Sequence, residues 1–197
     1  MKNKTHRTVP IKIAALIAAI VLVIGCTAGG TVAWLVSKPD PIVNVFTVGN
    51  INATLTETAK AFKIVPGVDI VKDPVATVEA NSEDCYLFVQ PTEKNWPNFK
   101  FTEADKTTRK VEYEIADGWI ELESEHGVYY REVTKSGADQ AFHVLKGDKV
   151  TVSNTLTKEN ADAIKAAGAP QLTVAVYAVQ KVGMNTPDEA WKTAKAN

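Results

Sequence analysis

An antiparallel β-sandwich or jelly roll with one or two short helices is the fold class that this 197-residue sequence predicts. Three observations carry it. Apolar and polar residues alternate with period two over most of the chain beyond residue 40, in runs rich in Val, Ile and Thr. Turn chemistry separates these runs at short, regular intervals. Helical signals are confined to two short stretches near the C-terminus.

The first 36 residues follow a different logic. Lys2, Lys4, Arg7 and Lys12 make a basic start with no acidic residue, and Ile13 to Gly25 is an apolar core. These are the n-region and h-region of a secretory signal. Small residues stand at Thr31 and Ala33, just after Gly29-Gly30, so cleavage between Ala33 and Trp34 is the favoured outcome. Two others stay open. Val23-Ile24-Gly25-Cys26 matches a loose lipoprotein pattern that would lipidate Cys26, and Ile13 to Val36 carries no charge over 24 residues, enough to span a bilayer uncut. Each outcome puts the bulk of the chain outside the cytoplasm. The expected organisation is a signal peptide at 1–33, an extended segment at 34–48 and a sandwich domain at 49–197.

Four of the 22 basic residues and none of the 23 acidic ones lie in 1–33, so the remaining 164 residues carry 18 against 23, a formal net charge of −5. A nucleic-acid partner needs a basic face, and this balance argues against one. Cys85 is the sole cysteine after residue 26, which excludes an internal disulfide in the mature chain. In Cys-Tyr-Leu-Phe-Val-Gln it reads as a small buried strand residue with no basic neighbour in sequence to activate it.

The strands expected, in order, are Val43–Val48, Ile51–Thr56, Val75–Ala80, Cys85–Gln90, Lys110–Ile115, Trp119–Glu123, Val128–Thr134, Lys149–Thr155 and Leu172–Gln180. Asp117-Gly118 has the chemistry of a tight hairpin turn joining the strands on either side. Leu172–Gln180 is apolar on both faces, as a central strand covered on each side would be. The 91–109 stretch is a long excursion whose Trp96, Phe99 and Phe101 either staple it to the rim or form a binding patch. Thr157 can cap one helix, with Ala161 and Ile164 inward and Gly168 and Pro170 as the stop. Thr186-Pro187-Asp188-Glu189 is a capping box with proline at the first helical position, and Trp191 is the apolar anchor of the helix that follows.

The search for chemistry yields little. His126 and His143 lie in or beside turns without a metal-ligand spacing, and no H-E-x-x-H, C-x-x-C or G-x-S-x-G motif occurs. Glu121, Glu123 and Glu125 would share one face of a strand and could there meet a hard cation, though a solvated face is the plainer reading. No catalytic residue, metal or cofactor is expected, and the chain does not read as an enzyme.

Three ordered blocks resemble a known family: GGTVAWLVSKPDPIVNVFTVGNINATLTET, then KIVPGVDIVKDPVATVEANSEDCYLFV, and last TVAVYAVQKVGMNTPDEAW. Together they look like the TasA/camelysin family of exported Gram-positive proteins. The resemblance implies processing by a SipW-type signal peptidase and a jelly-roll subunit of extracellular biofilm fibres. It further implies a homopolymer, in which the mature N-terminal segment completes a sheet of the neighbouring subunit, with other matrix proteins as further partners. Some family members carry a metallopeptidase label; lacking zinc-ligand spacing, this sequence gives no ground to carry it over. The physical pattern is compatible. Trp34 to Val48 is extended and apolar, Pro39 and Pro41 suppress helix, and Trp34, Leu35, Ile42, Val45 and Phe46 form the expected assembly strand. The alternative is a monomeric surface adhesin, held by lipid on Cys26 or by an uncleaved anchor.

Overall fold

Local alternation becomes strands that are mostly short. The computed structural model describes residues 36–37, 44–58, 62–95, 100–103, 106–109, 111–158, 162, 168 and 170–196. In chain order they form β1 (Val36–Ser37), β2 (Asn44–Val48), β3 (Ala53–Thr56), β4 (Phe62–Lys63) and β5 (Ile70–Val71). Next come β6 (Val75–Val78), β7 (Cys85–Lys94), β8 (Lys100–Glu103), β9 (Lys106–Arg109) and β10 (Val111–Glu112). The series ends with β11 (Ile120–Glu121), β12 (Tyr129–Val133), β13 (Gln140–His143), β14 (Lys149–Val152), β15 (Gln171–Gln180) and helix α1 (Pro187–Lys195).

The two ten-residue strands are the frame. β7 and β15 pair antiparallel from Gln171 opposite Lys94 to Gln180 opposite Cys85. Around them the main sheet runs β11-β12-β7-β15-β2, antiparallel except for β2, which lies parallel to β15 at the edge. Two three-stranded sheets, β13-β6-β3 and β10-β14-β5, face it. The β8–β9 hairpin and the β1–β4 pair complete the ladders.

Pleating assigns the side chains to two layers. Cys85, Leu87 and Val89 of β7 and Leu172, Val174, Val176 and Ala178 of β15 point inward. They meet Leu55, Ile70, Ala76, Val78, Val111, Val150 and Val152 of the facing sheets. Tyr86, Phe88 and Val179 point outward, where Ala190, Trp191 and Ala194 of α1 cover them. β7 is therefore buried on both faces over Cys85–Val89, and β15 is central, as its apolar run implies. The observed fold is the mainly β antiparallel sandwich expected.

Thr186 caps the helix, its Oγ1 accepting from Glu189 N at 3.2 Å, while Glu189 Oε2 reaches one residue further back than in a capping box and accepts from Asn185 N at 2.9 Å. Other readings need correction. Asp117-Gly118 does not join a hairpin. β10 pairs with β14 and β11 with β12, so the turn hands the chain from one sheet to the other. Gly118 takes a φ of +86° in this turn, a backbone conformation that L side chains rarely adopt, and the Arg131 guanidinium lies where its side chain would go. The expected strand Lys110–Ile115 contracts to Val111–Glu112 plus a single bridge from Ile115 to Leu145. In the 91–109 stretch, β7 runs on to Lys94 and β8–β9 form a hairpin. Trp96 and Phe99, and most of the 157–168 helix with Ala161 and Ile164, lie outside the described residues.

Candidate assembly edge

Cys26, Ala33, Trp34, Leu35 and Ile42 lie outside the described residues. Val45 and Phe46 fall in β2, whose register on β15 runs from Asn44 opposite Ala175 to Val48 opposite Val179. Val45 packs against the inner core, while Val48 joins the layer beneath α1. Phe46 stacks on Tyr177 with ring centroids 4.8 Å apart and planes 13° from parallel, yet remains 42% exposed. Of the expected assembly strand, residues 44–48 form β2. In the single chain they pair with their own β15, which supplies the backbone partners and the apolar shelf. β1 likewise pairs with β4 of its own chain.

The far side of β2 pairs with no strand among the described residues, and β11 ends the same sheet on the opposite side. Three of the exposed large apolar side chains lie at such margins, Phe46 on β2, Ile120 on β11 and Val71 on β5, while Val68 and Val182 lie in turns. Unpaired edges with apolar side chains invite further strands. Gly49, with φ +96°, turns the chain away immediately after β2, and Gln180 stands where a side chain at that position would go. The edge strand is closed off there.

Glu121, Glu123 and Glu125 do not line one strand face. β11 stops at Glu121, and residues 122–128 form a tight turn closed by Leu122 N to Val128 O at 2.8 Å. Glu121 accepts from Gly127 N at 3.0 Å, which holds its carboxyl below the ordinary range. Glu125 pairs with Lys195 and accepts from Trp191 Nε1 at 2.8 Å. Glu121 thus braces the turn from within, and Glu125 fastens it to α1. Among the described residues, no group of three or more His, Cys, Asp or Glu side chains is arranged to hold a metal ion. No described helix is long and apolar enough to cross a membrane.

Lys195 first and Trp191 second hold the Glu125 carboxyl below the ordinary glutamate value of about 4.3. A depressed folded value adds stability above the unfolded-state value and loses it as pH falls through the folded one. Glu125→Gln should therefore unfold at a lower temperature than wild type at neutral pH, with the gap closing below about pH 4. Melting curves of both proteins across that range provide the check. A gap unchanged at low pH contradicts the assignment.

His143 lies in β13 as a strand residue, its Nδ1 2.8 Å from Asp148 Oδ1, and both side chains are solvent-accessible. His126 is exposed on the turn beside Glu121. Cys85 is fully buried on the inner face of β7, and burial, then Asp84, pushes its thiol up to about 11. A thiol reagent should label it at a negligible rate in the native protein and rapidly in denaturant; fast native labelling would contradict the burial.

Two features escaped the sequence reading. Lys72, 5% exposed, forms a buried ion pair with Glu57. Arg131 occupies an inward position of β12 between Tyr129 and Val133, both packed on the core. The signal for Arg131 was available, since the period-two pattern of Tyr-Tyr-Arg-Glu-Val places it on the apolar face. No family model matches the chain, and neither a curated protein nor a solved structure does.

Proposed function

We propose that the protein is a secreted structural subunit of extracellular biofilm matrix fibres, assembling head to tail by strand addition after its signal peptide is removed. The observation that carries this reading is the position of β2. The segment that directly follows the signal-like leader supplies an edge strand of the main sheet, held by five residues, with Phe46 only partly covered. The ordered resemblance to the TasA/camelysin family and the sandwich architecture support it.

Strand exchange gives this geometry a mechanism. When β2 leaves its own β15 and pairs with that of a neighbour, the same contacts re-form in trans. The net free energy of the swap is then close to zero, and local concentration decides its direction. Each donor leaves its own β15 edge open for the next copy, which propagates an open filament. Removal of the leader frees the donor segment, so the timing of cleavage sets the timing of assembly.

Asn44 and Ala175 are register partners. Asn44→Cys with Ala175→Cys should form a disulfide that pins β2 in place. The oxidised mature protein should stay monomeric by sedimentation and show no fibres by negative stain, and reduction should restore both. Fibres from the oxidised form would sink strand exchange. If wild-type protein stays monomeric and incorporates a fatty-acid label that Cys26→Ser abolishes, the chain is a surface lipoprotein instead.

A further inference from the structure

β2 and β3 belong to different sheets, and only residues 49–52 join them. Gly49 comes first, with φ +96°, a region that L side chains rarely enter. A Cβ there would sit 2.6 Å from Gln180 Oε1 and 2.7 Å from Gln180 Cβ, so space and backbone both exclude a side chain while β2 lies on its own β15. The next three residues are fastened elsewhere, chiefly to the turn between β6 and β7. Asn50 O accepts from Glu83 N at 3.2 Å, and Ile51 is buried in the inner core. Asn52 N donates to the buried Ser82 hydroxyl at 3.1 Å, and Asn52 O accepts from Glu79 N at 2.8 Å. Asn50 N also donates to Gln180 Oε1 at the end of β15, at a long 3.4 Å.

We infer that Gly49 is the hinge on which β2 leaves β15, and that the clamp on residues 50–52 confines the exchange to the chain before it. The inference rests on the strand-exchange reading and adds its pivot, its boundary and its restraint. The ladder of residues 44–48 re-forms in trans and so cancels between the two states. The hinge does not cancel. Asn50 and Asn52 stay bound to the 79–83 turn of their own chain, while the β15 under β2 then belongs to another copy. Two copies cannot fill one place, so the tight turn at Gly49 has to straighten. Straightened backbone is open to any residue, whereas the closed turn accepts glycine without strain and charges an L side chain for entry. Glycine at 49 therefore holds the closed, monomeric form, and a side chain there penalises that form alone. β3 keeps its pairing with β6 throughout, so the facing sheet takes no part in the exchange.

The test mixes mature chains carrying only Asn44→Cys with chains carrying only Ala175→Cys, oxidises them and measures the intermolecular 44–175 disulfide by mass spectrometry. That link forms only when β2 of one copy lies on β15 of another. Adding Gly49→Ala to both chains should raise its yield about ten-fold at equal concentration, the equivalent of forcing an L residue to positive φ, with circular dichroism unchanged. Gln180→Ala drops the Asn50 contact without straining residue 49; it should raise the yield about three-fold, and it decides the matter if the alanine at 49 does not fold. Thr54→Cys and Thr77→Cys, register partners of β3 and β6 placed on separate chains, should give no link. A 44–175 link that neither variant raises overturns the hinge and leaves strand exchange standing. A 54–77 link between chains puts the pivot beyond Asn52 and overturns it too. Absence of the 44–175 link from wild type and both variants sinks strand exchange itself.

Discussion

Trp191→Ala is expected to lower the unfolding free energy by about 3–5 kcal/mol, the range for removing a large buried aromatic. Trp191 is 1% exposed and fills the space between α1 and the outer face of the main sheet. Its ring lies 5.3 Å from Phe88 and 4.8 Å from Tyr177, the latter edge-on at 85°. Its N–H reaches Glu125, so the truncation also removes the tie between the helix and the 122–128 turn. A nine-residue helix is too short to persist without its docking face. The helix should detach, leaving Phe88 and Tyr177 uncovered and the variant prone to aggregate. Trp191→Phe keeps most of the buried area and loses the hydrogen bond, so a smaller loss of about 1–2 kcal/mol is expected. Urea unfolding of the three proteins separates these outcomes. A loss below about 1 kcal/mol for the alanine variant would mean that α1 contributes little to the fold.

This helix was legible from sequence because its determinants are local. Thr186, Pro187 and Glu189 sit at fixed offsets, and a lone Trp on a polar stretch needs a surface to cover. β15 was legible for a similar reason, since a strand buried on both faces reads as a continuous apolar run. The short strands β4, β5 and β13 were not legible, because two to four residues carry too little periodicity and their ladders depend on partners distant in sequence. Asp117-Gly118 misled because hairpin chemistry specifies a turn and not which strands will pair. The edge role of β2 was legible in its apolar, proline-led segment. Its actual partner, a parallel strand some 130 residues later, was not.

Lys72→Met should also cost about 3–5 kcal/mol, although the replacement is apolar and of similar length. The amine lies 2.5 Å from Glu57 Oε1, with only 7% and 10% of the two side chains exposed. Glu57 follows β3 of one facing sheet and Lys72 follows β5 of the other, so the pair ties those sheets together. Next to it, Asp73 Oδ1 accepts from Thr58 N at 3.1 Å, and its other oxygen accepts the Thr58 hydroxyl. Taking away the lysine strands a carboxylate away from water, and that desolvation, rather than a lost attraction, dominates the cost. The double variant Lys72→Met with Glu57→Leu removes both charges, and its stability should return to within about 1 kcal/mol of wild type or exceed it. Screening barely reaches a pair this buried, so raising the salt concentration should not rescue the single variant. A complete double-mutant cycle by urea unfolding decides the matter. If the double variant falls as far as Lys72→Met alone, the two side chains act through separate contacts and the ion pair is not what joins the sheets.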